Sequence, residues 1–416
     1  MDVTTENKVV PRLRFDNFNN FLESKKLNEV VEVIDSLHQT PKHYAKEGYT
    51  MIRVTDVEGE LNLNSCLKVS QEVYKEFTKR HKPKLGDIII SRVGTCGASI
   101  ILKTNDDVCL GQNTVLLNPH INSIFLHQLI RSNVIQKQVS RKVVGSTQKT
   151  LSLKDLKKFS INIPQPKEQN KIAEFLSSVD KKIQMLEKKK ELLEEYKKGV
   201  MQKIFYQEIR FKDDNGNSYP DWEKKKLGDI GEFKSSSVDK KIKEGEELVF
   251  LINYMNVYNH EKLKPEMRHK LMRVSASSSQ ILSFNLKKGD ILFTPSSETP
   301  YDIGRSSVIF SDLEDTLYSY HLMRFRPSIN LNLLYSHYFC NISPVLRQLS
   351  KLCAGSTRFT ISVGNFSKVQ IELPCLGEQK KIADFLSAID SKIETTSTKI
   401  DKTKEFKKGL LQQMFV

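Results

Sequence analysis

The sequence predicts an α+β chain. Two mixed α/β domains alternate with two long helices that form an antiparallel coiled coil, in a pseudo-two-fold internal repeat. Three observations lead there. The phrase PKEQNKIAEFLSSVD, from Pro166 to Asp180, returns as LGEQKKIADFLSAID, from Leu376 to Asp390, 210 positions later. Each copy opens an apolar heptad stripe too long for one small domain to cover. The stretches ahead of the two copies are rich in β-branched runs broken by Gly, Pro and Ser, and they differ from each other.

A fixed period decides architecture, so the repeat comes first. Residues 145–205 align with 355–415 without a gap, and 26 of these 61 positions are identical, which chance does not produce. Upstream only anchors survive. RLRF ending at Phe15 echoes EIRF ending at Phe211, ESKKLNEV (Glu23 to Val30) echoes EKKKLGDI (Glu223 to Ile230), and KLGDIIIS (Lys84 to Ser91) echoes KKGDILFT (Lys287 to Thr294). The offset drifts from 196 to 200 to 203 to 210, so the two upstream regions differ by insertions and deletions. The order is variable region 1–163, constant helix 164–206, variable region 207–373, constant helix 374–416.

In the constant segments Ile172, Leu176, Val179, Ile183, Leu186 and Leu193 recur at steps of three, four or seven, as do Ile382, Leu386, Ile389, Ile393, Ile400 and Leu410 at steps of three, four, seven or ten. That is a helix–helix seam about five heptads long. Thr396 and Thr403 interrupt it and are expected to loosen the local packing. Pro164 and Pro374 stand where a strand-like run must stop and a helix can start. At ~1.5 Å per residue each helix runs roughly 55–60 Å, and the expected partner for its stripe is the other copy. The variable regions read as short strands with loops between them, in GDIIISRVGTCGASIILK (Gly86 to Lys103) and GDILFTPSSETPYDIGRSSVIF (Gly289 to Phe310). Leu126–Arg141 and Leu333–Leu349 read as helical. Each region is therefore a mixed domain dominated by a curved antiparallel sheet.

At 416 residues the chain holds two or three domains. No window approaches eighteen apolar residues, so no membrane span is expected, and the opening MDVTTENKVV lacks a secretory pattern, which points to the cytoplasm. Cys66, Cys96, Cys109, Cys340, Cys353 and Cys375 are scattered without paired-ligand spacing, so neither zinc nor disulfides are expected. The net charge of +15 favours polyanionic partners, since displacing counterions from phosphates gives affinity without sequence information.

Catalytic patterns are missing from the sequence. There is no Gly-x-x-x-x-Gly-Lys-Ser/Thr loop, and Gly94-Thr95-Cys96-Gly97 is a two-glycine turn rather than a dinucleotide fingerprint. Asn118-Pro119-His120 lacks the second proline and the aromatic of an adenine-methyltransferase motif. Pro220-Asp221 followed by Asp239-Lys240-Lys241 fits a nuclease pattern, but so weakly in a chain with 65 basic residues that it reads as surface charge. The histidines show no metal spacing, and His260 and His269, flanked by charges, read as exposed.

The polar loops carry more. GSTQKT places Ser146, Thr147, Gln148 and Lys149 at a sharp turn, and GSTRFT places Ser356, Thr357 and Arg358 at the same turn. Hydroxyls and backbone amides suit phosphates, whereas Gln, Asn and Arg suit base edges. A plain turn leading into the next strand is the competing reading. Further candidates for a DNA face are Arg92 and Thr95, then Gln112 and Asn113, in loops of the first region. In the second they are Ser296, Ser297, Arg305 and Ser306, then Tyr320 and His321.

A prolyl turn, Glu-Gln-x-Lys-Ile-Ala-x-Phe-Leu-Ser-x-x-Asp, a long helix and a closing Lys-Lys-Gly segment, twice in one chain, strongly resemble the specificity subunit of type I restriction-modification systems. Pro11 to Phe15, Trp222 to Gly228 and both Gly-Ser-Thr turns fit the same family, although Leu22 and Asn28 stand where the second half has Trp222 and Gly228. The resemblance covers the whole chain. It implies two target recognition domains, each reading one half of a split, asymmetric site on double-stranded DNA. The long helices would act as a ruler and dock two methyltransferase subunits, which methylate adenine N6 with S-adenosylmethionine. Two restriction/translocase subunits would use ATP and Mg2+. The chain itself would be non-catalytic, with no cofactor of its own. The rival from another class is a coiled-coil scaffold with non-specific nucleic-acid affinity, which would need no divergent pair of loop-rich domains.

Overall fold

The computed structural model describes residues 10–59, 61–145 and 149–416. It divides into two compact units, Met1–Lys188 with Ser397–Val416, and Lys189–Thr396. Each unit thus combines a variable region, the start of the long helix that follows it, and the end of the other long helix.

In the first unit a four-stranded antiparallel sheet has the order Val31–Asp35, Thr114–Pro119, Ile88–Ser91, Ser99–Ile101. Ile88–Ser91 is buried throughout instead of alternating, because both faces of this sheet are covered. Ile88 and Ile90 pack with helix residues Phe125, Leu129 and Leu176, while Ile89 packs with Ile52, Val57 and Leu116 on the other face. That other face carries a three-stranded sheet, Leu67–Val69, Tyr49–Ile52, Val108–Leu110. Its last two strands are parallel, in a domain whose other pairs are antiparallel as the sequence suggested. The long excursion between them makes this possible, since a parallel pair needs a crossover of a dozen residues or more.

The second unit repeats the plan. Its four-stranded sheet runs Gly231–Ser235, Met323–Pro327, Ile291–Phe293, Ser306–Val308, and its three-stranded sheet Met272–Ala276, Glu247–Ile252, Thr316–Tyr318, again with one parallel pair. Ile291 and Phe293 face one cluster and Leu292 the other. The helical stretches expected at Leu126–Arg141 and Leu333–Leu349 are each two helices. Ser132 adopts an extended backbone between Ser123–Arg131 and Asn133–Lys142, and Pro344 opens the second helix of the other pair, Leu333–Phe339 and Ser343–Leu352.

The long helices are Pro166–Phe205 and Leu376–Met414. At ~1.5 Å per residue each runs about 60 Å. Their shared phrase now has a physical reason. Glu168 accepts from Arg14 Nε and Nη2, both at 2.7 Å, and Glu378 accepts from Arg210 Nε and Nη2 at 3.1 and 2.7 Å and from Trp222 Nε1 at 2.9 Å. Both carboxylates are buried, so a charged partner in fork geometry is needed to hold them. Gln169 and Gln379 donate to the Pro164 and Pro374 carbonyls at 2.8 and 2.9 Å. They also accept from the backbone of Asn122 and Asn332, which cap the neighbouring helices.

The phrase ends on an aspartate that binds two elements at once. Asp180 accepts from Gln128 at 2.8 Å and from Lys407 at 2.5 Å; Asp390 accepts from Tyr338 at 2.7 Å and from Lys197 at 2.5 Å. In each unit the end of one long helix therefore lies against the start of the other, antiparallel. Leu410, Met414 and Phe415 join Ile172, Leu176, Val179 and Ile183 in one core, and Val200, Ile204 and Phe205 join Ile382, Leu386 and Ile389 in the other. Ile400 is also buried, whereas Leu186, Leu193 and Ile393 are half-buried. Thr396 is buried and Thr403 half-buried, and each turns its hydroxyl back to the carbonyl four residues earlier, at 2.7 and 2.6 Å. No helix among the described residues is long and apolar enough to cross a membrane.

Candidate nucleic-acid interface

The Gly355-Ser356-Thr357 turn is the tip of a short hairpin, and Val144 with Thr150 closes its counterpart in the first unit. Val144 and Thr150 exchange backbone hydrogen bonds at 3.1 and 2.9 Å, and Ala354 and Thr360 do so at 2.9 and 2.9 Å, so each hairpin closes around five residues. Glycine is required at the first of them. Gly145 and Gly355 have φ of 110° and 140°, and a Cβ on Gly355 would sit 2.0 Å from the Arg358 carbonyl oxygen. Ser146, Thr147 and Gln148 lie outside the described residues, so only Lys149 represents the first tip.

Each hairpin is laced to the loop that leaves the central strand of the larger sheet. In the first unit Gly94 N donates to Lys149 O at 3.1 Å and Leu151 N to Arg92 O at 2.8 Å. In the second, Ser296 and Ser297 pair with Thr360 and Phe359 as a two-residue ladder, and Ile361 N donates to Pro295 O at 2.9 Å. The matching loops and tips predicted from sequence are thus brought together, once per unit.

The side chains sort into two groups. Thr95, Gln112, Lys149, Tyr320, Ser356, Thr357 and Arg358 are exposed, and Ser296, Arg305 and His321 are half-buried. Thr95 donates to the Glu58 carboxylate, and Gln112 accepts from Thr40 at 3.0 Å. Arg305 faces Asp302 at 3.3 Å, and Tyr320 lies over His321 at 3.9 Å. Of the other four, Arg92, Ser297 and Ser306 are turned inward with their polar groups used by the fold, and Asn113 is half-buried. Arg92 donates to Asp35 at 2.9 Å and to the Leu151 carbonyl at 3.0 Å, so its guanidinium locks the hairpin exit to the sheet. Asn113 has φ 66° and offers its carbonyl to Arg92 N at 3.0 Å. Ser297 is buried and donates to Thr299, and the buried Ser306 hydroxyl accepts from Asn341 at 2.8 Å.

Sequence reasoning missed the segment after the strands Tyr49–Ile52 and Glu247–Ile252. There Arg53 N donates to Asp56 at 2.9 Å and Asn253 N to Asn256 at 3.0 Å, two like turns 200 positions apart. They set Glu58 beside Thr95 and Tyr254 beside Ser296, where the Tyr254 hydroxyl donates to the Ser296 carbonyl at 3.0 Å. IRVTDV and INYMNV share Ile, Val and a carboxylate or amide at one spacing, which a comparison at that offset would have found.

Behind the loops lie two matching histidines. His127 Nε2 is 3.1 Å from the Ser99 carbonyl, and burial takes its pKa down to about 4. His337 stacks on His260 at 3.7 Å between ring centres, and burial, followed by His260 and lysine charge, takes it down to about 2. His260 is half-buried rather than exposed as its charged flanks suggested, because its ring fits against His337 with Nδ1 2.6 Å from the Ser306 carbonyl. Among the described residues no group of three His, Cys, Asp or Glu could hold a metal ion.

The comparisons with known proteins agree with this arrangement. The chain matches the type I restriction modification DNA specificity domain twice, over residues 21–195 and 219–405. It is 25% identical over 415 residues to the MjaX type I restriction enzyme specificity subunit of Methanocaldococcus jannaschii, covering 94% of this chain and 91% of that one. It is 33% identical over 131 residues to the EcoBI specificity subunit of Escherichia coli, covering 30% of this chain and 27% of that one. In fold it is similar to the S subunit of a type I restriction-modification system from M. genitalium, with TM-score 0.56 at 15% identity over 98% of this chain and 99% of that one. The HsdS subunit from Thermoanaerobacter tengcongensis gives 0.51 at 16% identity over 96% and 97%. Two family matches that together span most of the chain, on a twice-built frame of loop and hairpin, place it plainly: the protein belongs to the specificity subunits of type I restriction-modification systems.

Proposed function

We propose that this chain reads a split, asymmetric site on double-stranded DNA, one half per unit, and directs partner subunits to it. Two modification subunits with S-adenosylmethionine would methylate adenine N6, and two restriction/translocase subunits with ATP and Mg2+ would cut unmethylated DNA, in the cytoplasm. The chain supplies no chemistry of its own in this reading. Its long helices, about 60 Å each, set the gap between the half-sites.

One observation carries the reading. The same hairpin, laced to the same loop over the same sheet, carries different side chains in the two units: Val93, Thr95 and Lys149 stand in one where Ser296, Glu298 and Phe359 stand in the other. A constant frame with divergent tips is what two different half-sites demand, since phosphate contacts position and base-edge contacts specify. A scaffold with non-specific affinity would gain nothing from the difference. A genome-wide map of N6-methyladenine with and without this chain tests it. A split, asymmetric motif that disappears with the chain is expected; an unchanged map in cells that contain the modification subunit would refute the reading.

A further inference from the structure

Arg358 is the exposed arginine at the tip of the second hairpin, and its environment is built rather than incidental. Gly355 shapes the tip, and the Ser296–Thr360 ladder anchors it. Ser296 is held from the other side by the Tyr254 hydroxyl, which donates to its carbonyl at 3.0 Å, while its own hydroxyl lies 3.4 Å from Arg358 Nη2. Tyr254 in turn stacks on Tyr258, with ring centres 5.7 Å apart. Tyr254, Ser296 and Arg358 therefore form a strut that steadies one side of the guanidinium.

The rest of the fork is unused. Among the described residues no ion pair involves Arg358, in contrast to Arg326, paired with Asp290 at 2.7 Å, and Arg210, paired with Glu378 at 2.7 Å. The nearby carboxylate of Asp302 is taken by Arg305 at 3.3 Å. The charges of Lys240 and Arg358 both reach His321, whose pKa is lowered first by burial and then by these two. Asp239 opposes them there, and beyond the Ser296 hydroxyl the planar donor fork of Arg358 meets no protein carboxylate among the described residues. In the major groove guanine alone offers two adjacent acceptors, O6 and N7, that match such a fork.

We infer that Arg358 reads a guanine in the half-site contacted by the second unit, with Tyr254 as its positioning residue through Ser296. The inference rests on the proposed DNA-reading function and adds the base and the residue that selects it.

The test uses the full chain assembled with its modification subunits and duplexes carrying the methylated motif. Guanines are replaced one at a time by 7-deazaguanine, which removes N7 and leaves pairing intact. The expected result is one guanine, in one half-site, where the replacement weakens wild-type binding about 5- to 10-fold and leaves Arg358→Ala unaffected. A bidentate contact of ~1–3 kcal/mol corresponds to roughly 5- to 150-fold, the loss expected for Arg358→Ala on unmodified DNA. Arg358→Lys should keep the salt dependence yet lose the discrimination. Tyr254→Phe should lower discrimination at that guanine alone, about 2- to 10-fold, and have no effect in the Arg358→Ala background; a general loss of folding would weaken both half-sites together. If wild type binds the motif specifically but no guanine couples to Arg358, the inference is wrong while the function stands. If wild type shows no sequence preference, both fall.

Discussion

Glu168 and Glu378 grip Arg14 and Arg210 in the same bidentate way, yet the matching loops that carry Thr95 and Ser296 meet unlike neighbours. In the first unit the loop meets a carboxylate, Glu58; in the second it meets Tyr254 and the open fork of Arg358. The interactions that hold a domain to its helix are buried and charged, and altering one partner strands the other. Loop side chains in water carry no such constraint. The frame is therefore locked where burial makes change destabilising, and the readers are free where it does not.

The largest effect should come from breaking the frame. Glu378→Gln removes the buried carboxylate from Arg210, leaving it only the exposed Asp221 at 3.4 Å, and should destabilise the second unit by about 3–5 kcal/mol. Glu168→Gln should do less in the first, by about 1 kcal/mol, because Glu378 also accepts from Trp222. Trp222 is the sole tryptophan, so its emission in a urea titration reports the second unit directly, and far-ultraviolet circular dichroism follows both. Equal losses would show that the indole contributes nothing.

Acid should separate the units next. His127 and His337 have folded pKa values of about 4 and about 2, below the ordinary value near 6.5. Their neutral forms are favoured on folding, so this stability is fully present above about pH 6.5. It is lost as the pH falls toward 4, and for His337 further still. For His127 the loss approaches about 3 kcal/mol. Melting between pH 7 and 3 should show the second unit losing more stability than the first, the difference opening below pH 4, and His337→Gln should flatten its dependence. A larger loss in the first unit would contradict the burial argument.

Changes at the tips should be mild for folding and sharp for recognition. Gly355→Ala drives a Cβ into the Arg358 carbonyl and should cost about 1–3 kcal/mol locally while erasing discrimination in one half-site only. The smallest effects belong to the ion pairs between helices. Lys407, only 8% exposed, should matter more to Asp180 than Lys197, at 23%, matters to Asp390. The open Lys404–Glu187 pair should contribute about 0–1 kcal/mol. Double-mutant cycles on the three pairs rank them.

The repeat made most of the fold legible. Heptads, the Glu-Gln phrase and the Gly-Asp strand starts survive in both copies because their side chains are buried against partners that also repeat. What stayed hidden was pairing between distant segments. The parallel strands Tyr49–Ile52 and Val108–Leu110 carry no local mark of their direction. Arg92 and Ser306 look like reading residues in a polar loop, and only the fold shows Asp35 and Asn341 occupying them. Tyr254 and Glu58 lie far along the chain from the loops they meet, so no short window joins them. Ile172 and Leu176, read as seam, also sit in the domain core, since a helix stripe gives its apolar face but not what covers it.

The account's central claim is two independent readers on one frame. The most direct test maps N6-methyladenine in cells carrying either the wild-type chain or Thr95→Val with Lys149→Ala, a first-unit variant that leaves every buried contact in place. The account predicts that one half of the motif relaxes while the other half and the gap between them stay as they were. A change in both halves, or in the gap, would contradict it.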